Sequence, residues 1–130
     1  MIFLDANYIV SYYIESEDHH KRALEIAKHF KDKKRIISKS IIAETVNILN
    51  TKLKIDKKII KATYEKIYND FKILEDHYYY DKAVDKIVND KKRLPFFDTL
   101  YIVLMEDLGI TEIATFDKHF NNIEGIKRIH

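Results

Sequence analysis

The chain has 130 residues, which suits a single domain over residues 1–130, and hydrophobic residues make up 46% of it, enough for a packed core. Its 23 basic and 21 acidic residues leave a net charge of +2, which permits a nucleic-acid partner without indicating one. The absence of cysteine excludes thiolate chemistry and favours the cytoplasm, and no leader or apolar stretch predicts a signal peptide or membrane span.

The apolar and turn patterns predict short buried strands that alternate with helices. Strands are expected at residues 1–4, 36–37, 71–74, 112–115 and 126–129. A short helix capped by Asn7 follows the first strand, and further helices are expected at 17–30, 41–49, 57–68, 81–90 and 97–108. Ser38 or Ser40 is the expected cap of the third helix, and Gly109 the stop signal of the last.

This alternation predicts an α/β fold, a three-layer α/β/α sandwich around a mainly parallel sheet of four to five strands. In such sheets, ligands bind outside the carboxyl ends of the strands. Asp5 follows the first strand directly, and Asp117 lies just beyond the strand that includes Thr115. Glu44 falls at the edge of the apolar stripe of the third helix, so it is half turned toward the protein.

Asp98 lies in the first turn of a segment that is apolar nearly all the way round, so its helix should be largely buried. A carboxylate there gains from the helix dipole but is penalised by desolvation. Either a metal ion or a capping role would offset that penalty. Taken singly, the four acids have ordinary structural explanations: a cap for Asp98, a turn former for Asp117, a surface glutamate for Glu44.

Taken together, Asp5, Glu44, Asp98 and Asp117 map to one end of one sheet, where they would repel each other. Hard divalent cations such as Mg²⁺ or Mn²⁺ take oxygen ligands and relieve that repulsion. Such a metal lowers the pKa of bound water and offsets charge on a phosphodiester that is being cleaved. The acids therefore predict a metal site with hydrolytic chemistry.

Four segments carry a resemblance to the PIN-domain nucleases and, within them, the VapC-type toxins. They are Phe3-Leu4-Asp5-Ala6-Asn7, Ser40-Ile41-Ile42-Ala43-Glu44, Phe97-Asp98-Thr99-Leu100-Tyr101-Ile102 and Ala114-Thr115-Phe116-Asp117-Lys118-His119-Phe120. The segments occur in the family's order and span nearly the whole chain. Each is weak alone, and the series of four is fairly specific.

The resemblance implies a Mg²⁺- or Mn²⁺-dependent endoribonuclease, with Asp5, Glu44, Asp98 and Asp117 as catalytic, metal-binding residues. It implies that Asn7 and Thr115 support the carboxylates through hydrogen bonds. It also implies a homodimer and, for the toxins, a small inhibitory antitoxin. Lys118 stands where some relatives carry another acid, so one metal is expected rather than two.

Other functions remain open. A non-catalytic PIN-like scaffold for RNA or protein, and an RNA-processing nuclease without an antitoxin, would share these residues. A haloacid-dehalogenase-like phosphatase would need an acid at Asn7, and a response-regulator receiver an acidic pair near Asp5. Four further features have simpler structural interpretations: a solvated helix start for His19-His20, a surface position for His119, a core or interface role for Tyr78-Tyr79-Tyr80, and a solvated turn for Lys91-Lys92-Arg93.

Overall fold

A five-stranded sheet forms the centre of the protein in this computed structural model, which describes residues 1–130. Its strands are β1 (Ile2–Leu4), β2 (Arg35–Ser38), β3 (Lys72–Leu74), β4 (Glu112–Ala114) and β5 (Lys127–Ile129). Its helices are α1 (Ala6–Tyr13), α2 (His20–His29), α3 (Lys39–Asn47), α4 (Lys57–Asp70), α5 (Tyr80–Asn89) and α6 (Phe96–Leu108). A π-helical turn (Ile48–Lys52) extends α3, and short 3₁₀ turns span His77–Tyr79 and Lys118–Phe120.

The strands lie in the order β3-β2-β1-β4-β5, and every pair of neighbours is parallel. Phe3 of β1 lies opposite Ile36 on one side and Ile113 on the other. The chain moves outward from β1 to β3 and then crosses back to β4. The point where the strand order reverses therefore lies between β1 and β4, which is where α/β sheets bind their ligands.

Helices cover both faces of this sheet, as the alternating pattern predicts. Right-handed crossovers toward the two opposite edges put α1 to α4 on one face and α5 and α6 on the other. The packing agrees, since α1 contacts α2 and α3, α3 contacts α4, and α5 contacts α6. The predicted α/β sandwich is confirmed, with a sheet that is wholly parallel.

The last long helix, α6, is the most deeply buried. Seven consecutive residues of it are buried, from Thr99 to Met105, as its uninterrupted apolar character predicts. Gly109 ends the helix in the left-handed region with φ 68°, a conformation that residues with a Cβ adopt at a cost. None of the helices combines the length and the apolar composition that spanning a bilayer requires.

The helix caps differ from the sequence predictions. Asp5, not Asn7, caps α1, because its carboxylate accepts from the backbone N–H of Ala6 while Asn7 already lies inside the first turn. Ser38 occupies the cap position of α3 but makes no cap bond, and its Oγ has no hydrogen-bond partner. The buried carboxylate of Asp76 instead accepts from the N–H of Ser40 at 3.0 Å.

The apolar faces of two helices are also less buried than their spacing predicts. Helical spacing predicts Leu24 on the inner side of α2 together with Ala23 and Ile26. Leu24 is nevertheless 40% exposed, and within α2 only Ala23 and Ile26 are buried. On α4, Thr63 and Ile67 are buried whereas Ile59 is half exposed. A helix that packs along one narrow line buries only part of an apolar stripe.

Candidate functional site

Two strand ends and two helices bring acidic side chains to the switch point of the sheet. Asp5 follows β1, and Asp117 lies three residues beyond β4, the strand paired with β1. Glu44 comes from α3, which starts directly after β2, and Asp98 from the first turn of α6. Their charges act on one another. Glu44 and Asp98 both raise the pKa of Asp5, and Asp117 raises the pKa of Glu44 and of Asp98.

Asp5 is the most enclosed of the four acids, with 5% of the residue exposed. Its Oδ1 accepts from the N–H of Ala6 at 2.8 Å. Its Oδ2 accepts from the hydroxyl of Thr115 at 2.7 Å and from the Nδ2 of Asn7 at 3.3 Å. Three donors from two separate parts of the chain thus fix the carboxylate.

Asn7 and Thr115 connect the end of β1 to the loop after β4. The Oδ1 of Asn7 accepts from the backbone N–H of Phe116 at 2.9 Å, and the Oγ1 of Thr115 accepts from the N–H of Asp117 at 3.0 Å. The same two side chains contact each other at 3.2 Å. They orient Asp5 and also hold the loop that carries Asp117.

His119 joins Asp98 and Asp117, although the sequence pattern predicts only a surface position for it. Its Nδ1 lies 2.9 Å from the Oδ2 of Asp98 and 3.3 Å from the Oδ2 of Asp117. Donor atoms of these three residues all lie within 4.8 Å of one another. The carboxylate of Asp117 also accepts from the N–H of His119 at 2.9 Å and starts the 3₁₀ turn there. The surface interpretation of His119 is therefore incomplete, because its exposed ring is also part of the cluster.

Capping does not explain Asp98. Pro95 holds the N-cap position of α6, and the carboxylate of Asp98 is hydrogen-bonded to His119 rather than to a backbone N–H at the helix start. The structure thus removes the simplest alternative explanation for a carboxylate in this apolar helix.

Glu44 has a partner that sequence reasoning missed. The hydroxyl of Tyr101 donates to the Oε1 of Glu44 at 2.6 Å. Tyr101 itself is fully buried in α6, one turn beyond Asp98. Since Glu44 and Tyr101 are 57 residues apart, the pattern of either helix alone holds no sign of this contact. The available signal was the tyrosine itself, because a hydroxyl buried in an apolar helix needs a hydrogen-bond partner.

The PIN-domain family model matches residues 2–126 of this sequence. The chain belongs to the PIN-domain family. Two solved structures share the fold. VapC20 from Mycobacterium tuberculosis, described as a Sarcin-Ricin loop cleaving toxin, is 16% identical with a TM-score of 0.78, and the match covers 91% of each chain. PAE2754 from Pyrobaculum aerophilum is 21% identical with a TM-score of 0.70 over 98% of this chain and 82% of that one. No curated protein matches the sequence.

In this PIN domain, burial and repulsion by neighbouring carboxylates raise the pKa of Asp5, Glu44 and Asp98. Desolvation raises the pKa of Asp5 to about 7, despite the hydrogen bonds from Thr115 and Ala6 that favour its charged form. Desolvation is also the main cause that raises the pKa of Glu44 and of Asp98, and neighbouring carboxylates add to it. The hydrogen bond with Asp98 and the charge of Asp117 raise the pKa of His119, which favours the imidazolium.

The cluster offers carboxylate oxygens almost exclusively, with the imidazole of His119 as its one basic partner. All four acids are at least half buried, so one basic side chain does not compensate for the cost of their negative charges. Hard divalent cations prefer this kind of oxygen donor set. The residues present therefore fit an ion such as Mg²⁺ or Mn²⁺.

Two groups that the sequence singled out lie outside this cluster. Lys91 and Lys92 line a separate cavity of about 410 Å³ between the end of α5 and the loop that includes Asn122. Tyr78 is three-quarters exposed, and the hydroxyl of Tyr79 donates to Asp107 at 2.8 Å. Neither group contacts Asp5, Glu44, Asp98 or Asp117.

Proposed function

We propose that this PIN domain is a metal-dependent endoribonuclease that hydrolyses phosphodiester bonds in RNA and acts as the toxin of a toxin–antitoxin pair. One observation carries the proposal: the ends of β1 and β4, helix α3 and the first turn of α6 bring Asp5, Glu44, Asp98 and Asp117 to the switch point of the sheet. A scaffold that only bound RNA would gain nothing from a cluster of acids that repels phosphate. The fold shared with VapC20, described as a Sarcin-Ricin loop cleaving toxin, supports the same function.

Asp5, Glu44, Asp98 and Asp117 are the residues that we propose hold Mg²⁺ or Mn²⁺. When bound, a divalent cation supplies hydroxide from water near neutral pH and offsets charge on the reacting phosphate. The Oδ1 of Asp5 accepts a single hydrogen bond, from Ala6, and so retains a further lone pair for a metal ion. We expect one ion per chain, since Lys118 occupies the place of a further acid.

The surrounding side chains have supporting roles in this proposal. Asn7 and Thr115 orient Asp5 through hydrogen bonds, and Tyr101 does the same for Glu44. His119 faces Asp98 with Nδ1, and its Nε2 makes no hydrogen bond within the protein. A positive charge on this exposed ring attracts the RNA phosphate to the cluster, and Nε2 can donate to a phosphate oxygen.

The proposal includes a homodimer and an inhibitory antitoxin. Exposed apolar side chains on one face of α5 provide a surface for self-association: Tyr80, Val84, Ile87 and Val88. Val88 is 75% exposed, and Phe97, 43% exposed, comes from the neighbouring α6. Apolar faces of this kind mark interaction sites on soluble proteins.

Cleavage of RNA by the purified protein tests the proposal. With Mn²⁺ or Mg²⁺, we expect the wild-type chain to cut RNA, and Asp5→Asn and Asp98→Asn each to lower the rate by more than about 100-fold, beyond the effect of losing an outer partner of a ligand. Glu106→Gln is the matched control, since Glu106 is an exposed acid on the same helix as Asp98.

Each possible result has a clear meaning for the proposal. Equal rates in all four proteins would reject the assignment of the site. No metal-stimulated cleavage by the wild type on varied RNAs would favour the binding scaffold. A small protein encoded beside this gene that inhibits cleavage would support the toxin role, whereas cleavage without such a partner would point to RNA processing.

A further inference from the structure

A second cavity, of about 180 Å³, opens directly beside the acidic cluster. It lies where α1, the segment before α2, the π-helical turn and the loop after β4 meet. Its lining includes Asn7, Glu17, His19, Ile48, Lys52 and Phe116. Asn7 belongs to both places, because its side chain is bonded to Asp5 and Thr115 and also lines the cavity.

One wall of the cavity is a stacked pair of flat rings. The rings of His19 and Phe116 lie with their centroids 4.2 Å apart and their planes 11° from parallel. Phe116 is fixed by its N–H bond to Asn7, and the residue is half-buried. His19 is exposed, so the wall can extend the stack by one more ring. The histidine is therefore more than a solvated helix start.

The π-helical turn also lines the cavity. The N–H of Leu53 donates to the carbonyl of Ile48 at 2.9 Å, the i to i+5 bond that defines such a turn. Ile48 and Lys52, at the two ends of the turn, both line the cavity, and Lys52 adds an exposed positive charge. π-helical turns are rare and frequently occur at functional sites.

The shape and chemistry of the cavity select its occupant. Its volume of about 180 Å³ and its aromatic wall suit one planar ring system. Unpaired bases stack on aromatic side chains whatever their sequence, because every base presents a π face. A lysine beside such a platform neutralises a backbone phosphate.

We propose that this cavity binds one unpaired nucleobase of an RNA strand, stacked on the His19–Phe116 pair, with Lys52 at the adjoining phosphate. The inference rests on the proposed ribonuclease function and adds a subsite that positions the strand against the acids. It makes His19 a positioning residue, since its ring contacts a base away from the cleaved bond. It also implies that the protein selects single-stranded or looped RNA.

Binding of a labelled, unstructured RNA oligomer, followed by fluorescence anisotropy in EDTA so that no cleavage occurs, tests the subsite. We expect His19→Ala to weaken binding on the order of tenfold, the size of effect that loss of one stacked base gives. His19→Phe retains a flat ring and should bind like the wild type. His29→Ala is the matched control, because His29 is exposed at the other end of the same helix.

An abasic scan of the oligomer identifies the base involved. At one position, removal of the base should weaken binding to the wild type by the same factor as His19→Ala, and the two changes together should have no larger effect. With Mn²⁺, His19→Ala should raise KM and leave kcat unchanged. Thermal unfolding of each variant shows that the fold is kept.

The outcomes separate this inference from the proposed function. RNA that binds in a His19-dependent way but is never cut would reject the nuclease and support the subsite. Equal binding and KM for His19→Ala and wild type, with no sensitive abasic position, would overturn the subsite while cleavage still stood. The same result is expected if the cavity receives a protein side chain instead. No binding of RNA in EDTA together with no cleavage in Mn²⁺ would reject both.

Discussion

Asp5 and Asp98 belong to one cluster, but the protein stabilises them in different ways. Asp5 is buried and receives hydrogen bonds from Ala6, Asn7 and Thr115. Asp98 has no such donors and relies on the exposed ring of His119 at 2.9 Å. The first acid is held by neutral donors within the protein, the second by the exposed imidazole of His119. The Asp5 side is therefore built in advance, whereas the Asp98 side can readily exchange His119 for another cation.

The largest difference should appear in the pH dependence of stability. The folded chain holds the pKa of Asp5 at about 7, above the ordinary 3.8. A raised carboxyl pKa means that the folded state binds the proton more tightly, so stability is present below pH 4 and is lost as pH rises to about 7. The loss is about 1.4 kcal/mol for each pH unit over which only the folded chain is protonated.

Chemical unfolding at pH 5 and pH 8, without divalent metal, measures this effect. We expect the wild type to lose stability across this interval, and Asp5→Asn to lose clearly less, since the amide does not titrate. Asp18→Asn, at an exposed position, should behave like the wild type. An identical pH dependence in wild type and Asp5→Asn would contradict the desolvation of Asp5.

On the Asp5 side, RNA cleavage should also depend on the neutral groups that donate hydrogen bonds to Asp5. Thr115→Val keeps the shape of the side chain but removes the hydroxyl that donates to Asp5 and accepts from the N–H of Asp117. We expect a 10- to 100-fold loss of RNA cleavage, the effect typical of outer partners of metal ligands. Thr63→Val makes the same change at a buried threonine that bonds only to its own helix at Ile59, and should leave cleavage unaltered. A Thr115→Val protein with wild-type cleavage would show that the Asp5 side needs no such support.

On the Asp98 side, removal of the carboxylate charge should stabilise the metal-free fold, and this effect should be smaller than the two above. Burial and neighbouring acids raise the pKa of Asp98 despite the contact with His119, so its charge destabilises the metal-free fold. We expect Asp98→Asn to raise the melting temperature in EDTA by about 2–4 °C. The difference should shrink when Mn²⁺ is added. A clear fall in the melting temperature would mean that the ion pair with His119 outweighs the repulsion.

The sequence could predict the alternation of strands and helices and the end of the sheet where the acids lie. Asp5 and Asp117 directly follow apolar strands, and the carboxyl ends of parallel strands share one edge. What escaped prediction were contacts that depend on the packing of distant elements. Glu44 meets Tyr101 across 57 residues, and His119 meets Asp98 across 21.

Local signals also misled where two residues competed for one role. Asp5 and Asn7 are both good helix caps, and the strand end decides in favour of Asp5 because it is the first residue to leave the sheet. Asn7 is thereby released to bond with the loop after β4. His19 gave no signal at all, since its partner Phe116 lies at the far end of the chain.

Calorimetric titration with Mn²⁺ tests most directly whether the acids form one metal centre. We expect one ion to bind per wild-type chain, and affinity to be lost in both Asp5→Asn and Asp98→Asn, although the two acids are held so differently. Glu106→Gln should bind like the wild type. Failure of the wild type to bind Mn²⁺, or unchanged binding in both variants, would contradict a shared metal centre at the switch point of the sheet.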